Sequence, residues 1–210
     1  MRRLWQSVSE PPGRRSPHPA SESTRIRLID PGAKTRPFAV GPPPAIVAAV
    51  IISVIGGEGA GPQALRLAEE VGRELGRRGV TLLCGGRGGV MEAACRGARS
   101  EGGHTIGILP GRNAGETPPN AYVEFPIFTG IGYARNAVVV LSGEAVIAIS
   151  GSYGTLSEIA YALINDVPLV GLDTWDFDYH GFDSGGIVRV TTAVEAVEKA
   201  VAMAEGWQAK

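Results

Sequence analysis

From residue 45 onward, short apolar runs alternate with segments whose apolar residues recur every three or four positions. The runs are rich in Val and Ile and lack polar alternation, which is typical of parallel strands buried on both faces. The segments between them have a helical period, seen most clearly at Leu65, Ala68, Val71 and Leu75. Regular alternation of strand and helix predicts an α/β fold, a single Rossmann-like doubly wound domain with a mainly parallel sheet.

The same pattern gives approximate bounds for each element. Strands are predicted at about 47–55, 80–84, 104–109, 123–128, 145–149, 168–172 and 187–190. Helices are predicted at about 62–77, 90–99 and 133–142, from the turn after 149 to 164, and from the capping box at 192–195 to 205. The aromatic and acidic stretch 173–185 is predicted to be a loop.

The first 44 residues differ in texture from the rest of the chain. They contain many of the prolines together with scattered Ser and Arg, and they show no sustained apolar period. Such a composition favours a disordered or loosely attached N-terminal extension, with one short edge strand conceivable at 26–29. The predicted organisation is therefore an extension over 1–44 and a Rossmann-like nucleotide- or phosphate-binding domain over 45–206.

Charge and hydropathy exclude several classes of partner. A net charge of −1 provides no basic face for nucleic acid or an anionic membrane. The apolar run 45–55 is only about half the length needed to span a bilayer. Cys84 and Cys95 do not form a disulfide framework and are expected to be buried thiols in a reducing cytosol. We therefore expect a cytoplasmic protein that has neither a membrane nor a nucleic-acid partner.

Glycine clusters occur at three predicted strand-to-helix junctions, 56–61, 85–89 and 151–154. In a parallel sheet these junctions meet at the carboxyl edge, where open α/β folds bind ligands. Each following helix offers free N–H groups and the positive end of its dipole, so a phosphorylated small molecule is the expected ligand. The residues predicted to bind it are Gly57, Gly59, Gly86, Gly88, Gly89, Asn136, Gly151, Ser152, Tyr153, Gly154 and Thr155.

Motifs of other phosphate-binding and catalytic classes fit poorly. Residues 59–64 match the loose dinucleotide fingerprint G-x-G-x-x-A, but the second strand ends without an Asp or Glu for a ribose hydroxyl. Arg87 at that position could instead meet a 2′-phosphate. The Walker motif, the G-x-S-x-G elbow and any His/Cys cluster at metal-ligand spacing are absent from the sequence, so no metal site is predicted.

Four segments form a more specific combination. They are Cys-Gly-Gly-Arg-Gly-Gly-Val-Met-Glu-Ala at 84–93, Gly-Ile-Leu-Pro-Gly at 107–111, Tyr-Ala-Arg-Asn at 133–136 and Gly-Ser-Tyr-Gly-Thr-Leu-Ser-Glu at 151–158. This combination resembles the LOG family, the cytokinin riboside 5′-monophosphate phosphoribohydrolases, and its relatives. The segments at 88–93 and 134–136 are most similar to the molybdenum cofactor carrier branch. The resemblance covers about residues 47–172.

The resemblance implies roles for two charged residues. The hydrolase signature is P-G-G-x-G-T-x-x-E with an upstream catalytic Arg in an R-K pair, which implies catalytic roles for Glu158 and Arg135. Two positions depart from it, because Ser150-Gly151-Ser152 replaces Pro-Gly-Gly and Asn136 replaces the Lys. The departures favour a carrier-like protein that binds a phosphorylated nucleotide-like or pterin ligand. Hydrolysis of a nucleoside 5′-monophosphate to free base and ribose 5-phosphate stays open as the alternative.

Further expectations come from the same resemblance. Members of the family are usually dimers or larger, so a homo-oligomer is expected. No cofactor is required for either function, while the molybdenum cofactor is a ligand that the carrier branch implies. For hydrolysis, Glu92 and Glu116 are the candidates for a second carboxylate, provided that folding brings them near Glu158.

Overall fold

The apolar runs form the strands of one parallel sheet in the computed structural model, which describes residues 50–183 and 185–208. The strands of this sheet are β1 (Ile51–Gly56), β2 (Thr81–Cys84), β3 (Thr105–Leu109), β4 (Phe125–Phe128), β5 (Ala145–Ile149), β6 (Leu169–Leu172) and, after a short hairpin, β9 (Ile187–Val190). The hairpin pairs β7 (Asp178–Tyr179) with β8 (Phe182–Asp183) in antiparallel fashion. The helices are α1 (Pro62–Arg77), α2 (Val90–Ser100), α3 (Arg135–Leu141), α4 (Tyr153–Ile164) and α5 (Ala193–Gln208).

The strand order places a ligand crevice at the middle of the sheet. The order is β4-β3-β2-β1-β5-β6-β9, and every neighbouring pair is parallel. The chain moves outward in one direction from β1 to β4 and then returns to place β5 on the other side of β1. Because the order reverses between β1 and β5, their carboxyl ends flank a topological switch point, where ligands bind in this class of fold.

Both faces of the sheet are covered by helices. Within the described residues, α1, α2 and α5 pack on one face, and α3 and α4 pack on the other. Side chains of strand β1 alternate between the two cores, since Ile52 and Val54 point into the first core while Ile55 points into the second. The predicted doubly wound, Rossmann-like fold is therefore confirmed, and this sheet is parallel throughout.

Element bounds differ from the predictions mainly where the periodicity is weak. Helix α1 was predicted at its observed residues, because Pro62 suits a first helical turn and Gly79 has the positive φ of a helix stop. The predicted helix 133–142 is shorter, since Gly132–Ala134 form a 3-10 turn before α3. The predicted loop 173–185 contains the β7–β8 hairpin, which its aromatic and acidic sequence did not indicate.

Two further predictions concern the N-terminal extension and membrane-spanning segments. Predictions for residues 1–44 lie outside the described part of the chain, and the boundary at 45 stays a prediction. Among the helices of the described residues, none is long and apolar enough to cross a membrane.

Candidate functional site

A cleft of about 650 Å³ opens at the carboxyl ends of β1 and β5, at the switch point of the sheet. It brings together seven of the residues that the sequence singled out, which are Arg135, Asn136, Ser152, Tyr153, Gly154, Thr155 and Glu158. Gly56, at the end of β1, lines the cleft next to the turn that follows β5. The crevice expected from topology and the residues expected from motifs therefore coincide.

The turn between β5 and α4 presents a helix N-terminus to this cleft. Ser152 precedes the first residue of α4, and its backbone N–H donates to Oγ1 of Thr155 at 3.3 Å. Thr155 is almost completely buried, and its hydroxyl proton is left to donate to another group. The first backbone N–H groups of a helix lack intrahelical partners, and although the Ser152 side chain caps that of Thr155, the N–H groups of Tyr153 and Gly154 are left for an anion.

The conformation of Ser150 distinguishes this turn from a proline-led one. Ser150 has φ of +53°, in the left-handed region that non-glycine residues rarely adopt. The proline ring fixes φ near −65°, so Pro at this position would force the chain into another path. The replacement of Pro by Ser150 is thus accompanied by a different backbone conformation at the start of the turn.

Arg135 and Glu158 form a buried ion pair in the cleft. Nη1 of Arg135 lies 3.3 Å from Oε1 of Glu158, and the two side chains are only 6% and 8% exposed. Arg135 is the first residue of α3 and Glu158 lies in the second turn of α4, so the pair joins two packed helices. The guanidinium also lies against Gly85, where a Cβ would come within 2.5 Å of Nη1. A side chain at position 85 would therefore require the guanidinium of Arg135 to shift.

Burial opposes ionisation on both sides of the pair. Loss of solvation raises the pKa of Glu158 to about 7, and the attraction of Arg135 offsets only part of this effect. Burial likewise lowers the pKa of Arg135, against the stabilising charge of Glu158. Because one 3.3 Å contact does not compensate both desolvated charges, a further anion near Arg135 is favoured electrostatically.

Arg135 also retains unused hydrogen-bonding capacity. Its Nε is buried, and none of the described residues accepts a hydrogen bond from it. A guanidinium carries five N–H donors, which match the oxygens of phosphate and carboxylate groups. A buried donor without a partner, in a residue that lines the cleft, leaves Arg135 with unmet hydrogen-bonding capacity beside the α4 N-terminus.

Asn136 holds the two helices of the site together. Its Nδ2 donates to Oγ of Ser157 at 2.8 Å and to the carbonyl of Gly154 at 3.4 Å, while the Ser157 hydroxyl donates to the same carbonyl at 2.7 Å. Asn136 is 4% exposed. In addition to lining the cleft, this residue therefore fixes α3 against the first turn of α4.

The predicted glycines of the other turns lie outside the residues that line the cleft. Gly59 is exposed. Gly57 and Gly89 lie close together, and the carbonyl of Gly57 accepts a hydrogen bond from the N–H of Val90, the residue after Gly89. Gly86 packs against Leu109, and Gly88 lies near Glu58 and Glu92. The last predicted glycine, Gly151, lies in the turn before α4 and is exposed, and a Cβ added there would meet the indole of Trp175. These glycines shape the turns, and their predicted contacts with a ligand stay a prediction.

Side chains from those turns line the cleft instead. Glu58 and Arg87 do so, and they pair across the two turns with Nη2 and Oε2 2.7 Å apart. Tyr133 and Tyr161 line the cleft as well, although neither was among the predicted site residues. Glu92 and Glu116 do not contribute to the lining, and Glu116 pairs with Arg112. The sequence indicated Arg87 only as a partner of a 2′-phosphate, and a charged residue inside a glycine turn is the signal that could have identified Glu58 as well.

Comparison with known proteins agrees with this geometry. The profile of the SLOG cluster4 family matches residues 49–203, which include every strand of the sheet and the whole cleft. The chain belongs to the SLOG cluster4 family. This result confirms the relationship to the LOG superfamily that the four motifs predicted.

Two solved structures resemble this SLOG cluster4 chain over nearly their whole length. The molybdenum cofactor binding protein of Rippkaea orientalis is 35% identical with a TM-score of 0.66, covering 76% of this chain and 98% of its own. The molybdenum cofactor carrier protein of Chlamydomonas reinhardtii is 33% identical with a TM-score of 0.63, covering 77% and 99%.

A relative found by sequence is named as a phosphoribohydrolase. The cytokinin riboside 5′-monophosphate phosphoribohydrolase of Mycobacterium tuberculosis is 31% identical over 118 residues, covering 53% of this chain and 63% of the relative. The SLOG cluster4 chain therefore spans less than two thirds of this curated relative. Binding proteins and hydrolases are both represented among its relatives.

The buried Glu158 predicts a pH dependence of stability in this SLOG cluster4 protein. Its pKa is about 7 in the folded state and 4.5 ordinarily, so the folded state binds more protons between these values. Stability from this group is therefore present below pH 4.5 and lost as pH rises to 7, by roughly 3 kcal/mol at most. Urea unfolding of wild type and E158Q at several pH values isolates the effect. A difference between the two proteins that stays constant from pH 4.5 to 8 contradicts the burial of an ionisable Glu158.

Proposed function

We propose that this chain binds a phosphorylated nucleotide-like or pterin ligand in the switch-point cleft and acts as a carrier. The observation that carries the proposal is the meeting of the α4 N-terminus with Arg135, a buried cation whose Nε has no acceptor among the described residues. A phosphate at this position would receive backbone N–H groups from the turn and N–H groups from Arg135. The glycines of the turn let the backbone approach the ligand closely.

Three features support binding without turnover. Ser150 gives the turn a backbone conformation that proline cannot adopt, unlike the hydrolase signature. Glu158 is engaged with Arg135, which restrains it from acting on a substrate. The other carboxylate of the cleft, Glu58, is paired with Arg87 and is half exposed. This arrangement resembles an anion-binding pocket more than the two free carboxylates of a glycosidase.

The molybdenum cofactor is the ligand that the two solved relatives suggest. A cleft of about 650 Å³ lies within the range of small-molecule sites, and the α4 N-terminus and Arg135 would hold the phosphate of the pterin. The His, Cys, Asp and Glu residues of the described chain do not gather in a metal-binding group of three. In this proposal the cofactor is cargo, and the chain needs no other cofactor.

The alternative function is a phosphoribohydrolase, and the pKa of Glu158 near 7 is the observation that favours it. A carboxylate with this pKa is suited to accept a proton at neutral pH. In such a reaction water adds to the anomeric carbon, the N-glycosidic bond breaks, and its electron pair leaves with the base, which takes up a proton. Glu158 would activate the water or stabilise positive charge on the ribose, while Arg135 would position the phosphorylated sugar.

Calorimetric binding and base release together separate the two functions. We expect purified protein to bind AMP or a pterin monophosphate and to release no free base from AMP or from cytokinin riboside monophosphates. Pterin fluorescence that co-purifies with the protein would support the carrier role. The matched variant is E158Q, which removes the ionisable group and keeps the shape of the side chain. Base release that disappears in E158Q while nucleotide affinity stays intact would overturn the carrier proposal in favour of the hydrolase.

Assembly and location complete the proposal. We infer a homo-oligomer because α4 is apolar nearly all round, while Ile164 at its end is 76% exposed. A sedimentation mass above 21.9 kDa tests this expectation. A cytoplasmic location fits the thiols of Cys84 and Cys95, which remain unlinked with their sulfurs 3.5 Å apart. No nucleic acid or membrane partner is part of the proposal.

A further inference from the structure

An exposed tyrosine stands beside the anion-binding turn. Tyr153 is the first residue of α4, lines the cleft next to Ser152 and Gly154, and is 84% exposed. Tyr133, also on the wall of the cleft, is 75% exposed. Exposed aromatic rings on a cleft wall provide flat apolar surface that a planar ligand can cover.

The ring of Tyr153 is held by a second aromatic ring. Trp175 stacks on it with centroids 6.3 Å apart and an interplanar angle of 28°. Trp175 is not among the residues that line the cleft, so it supports Tyr153 from outside the ligand space. Its Nε1–H donates to the carbonyl of Ser152 at 3.3 Å, which fixes the indole to the same turn that precedes α4.

The segment that carries Trp175 is itself fastened to the site. The Thr174 hydroxyl donates to the carbonyl of Ser150 at 2.6 Å. From β9, Arg189 donates to the carbonyl of Trp175 at 2.7 Å and to that of Thr174 at 3.3 Å. These contacts and the partial burial of Trp175 reduce the freedom of the exposed Tyr153 ring, so less ordering entropy is lost when a ligand binds.

We propose that Tyr153 is the stacking surface for a flat aromatic heterocycle of the ligand, and that Trp175 is the positioning residue that orients its ring. This inference rests on the proposed function, because the phosphate on the adjacent turn places the rest of the ligand near Tyr153. It assigns recognition of the planar heterocycle, and with it the discrimination against simple sugar phosphates, to two aromatic residues.

Two probes that differ only in the heterocycle test the inference, AMP and ribose 5-phosphate. In calorimetric titrations we expect Tyr153→Leu to weaken AMP binding by about fivefold to a hundredfold. Ribose 5-phosphate binding should change by less than about twofold, because stacking contributes nothing to it. Tyr153→Phe keeps the ring and should retain AMP binding. Trp175→Leu should weaken AMP selectively, and Trp175→Phe should restore most of the affinity.

The outcomes separate this inference from the proposed function. Equal losses for both probes in Tyr153→Leu overturn the stacking role, as does a loss in Tyr153→Phe equal to that in Tyr153→Leu. Wild-type binding of ribose 5-phosphate without tighter binding of AMP also overturns the stacking role and leaves the phosphate site intact. Failure of the wild-type protein to bind AMP, ribose 5-phosphate and a pterin monophosphate overturns the proposed function and this inference together.

Discussion

Replacing Arg135 with methionine is expected to weaken AMP binding by about tenfold to more than a hundredfold. Hydrogen bonds to charged groups contribute about 1.5–3 kcal/mol each, and Arg135 is the buried cation nearest the proposed phosphate position. Methionine keeps much of the apolar stem, while the guanidinium atoms that lie against Gly85 are lost together with the charge. Removal of the cation leaves Glu158 buried without its partner, and its pKa should rise further as the neutral form becomes favoured.

Titration calorimetry of two matched variants makes this prediction specific. Arg87→Met removes a second arginine of the same cleft, but one that is one-third exposed and already paired with Glu58. We expect Arg87→Met to weaken AMP binding less than Arg135→Met, and Arg135→Lys to recover only part of the loss because lysine lacks the fork of donors. A larger loss in Arg87→Met would mean that the phosphate lies on the turns after β1 and β2.

Replacing Gly97 with alanine is expected to lower the free energy of unfolding by about 3 kcal/mol or more. A Cβ at Gly97 of α2 would lie 2.0 Å from the carbonyl oxygen of Glu69 in α1, and one at Gly72 of α1 would lie 2.0 Å from that of Ala94. Both obstacles are backbone atoms, so the helices must separate and the close α1–α2 packing is lost. Thermal unfolding should show a midpoint lower by roughly 6–12 °C.

Gly206 provides the matched control for this substitution. It lies in helix α5, and no heavy atom of the described chain comes within 4 Å of a Cβ built there. Gly206→Ala should therefore raise the free energy of unfolding by about 0.5–1 kcal/mol through helix propensity alone. Gly97→Ala with an unchanged midpoint would show that the two helices can separate at little cost.

The sequence determined the elements because the signals for them are local. Apolar period and turn chemistry are properties of neighbouring residues, so the bounds of α1 and the positions of the strands in the parallel sheet could be predicted before any packing was known. Arg135 and Glu158 were selected through the family resemblance. The structure adds that their side chains, 23 residues apart in the chain, are in contact.

Tertiary structure alone decided which side chains face the cleft. Glu58, Arg87 and Tyr133 belong to three different connections, and the cleft unites them because β2 and β5 both lie beside β1 in the sheet. The left-handed φ of Ser150 and the stacking of Trp175 on Tyr153 likewise depend on contacts between distant segments. Strand order is set by the packing of the whole sheet. For that reason the sequence predicted that an anion binds at the carboxyl edge of the sheet. Which side chains would surround the rest of the ligand depended on the fold.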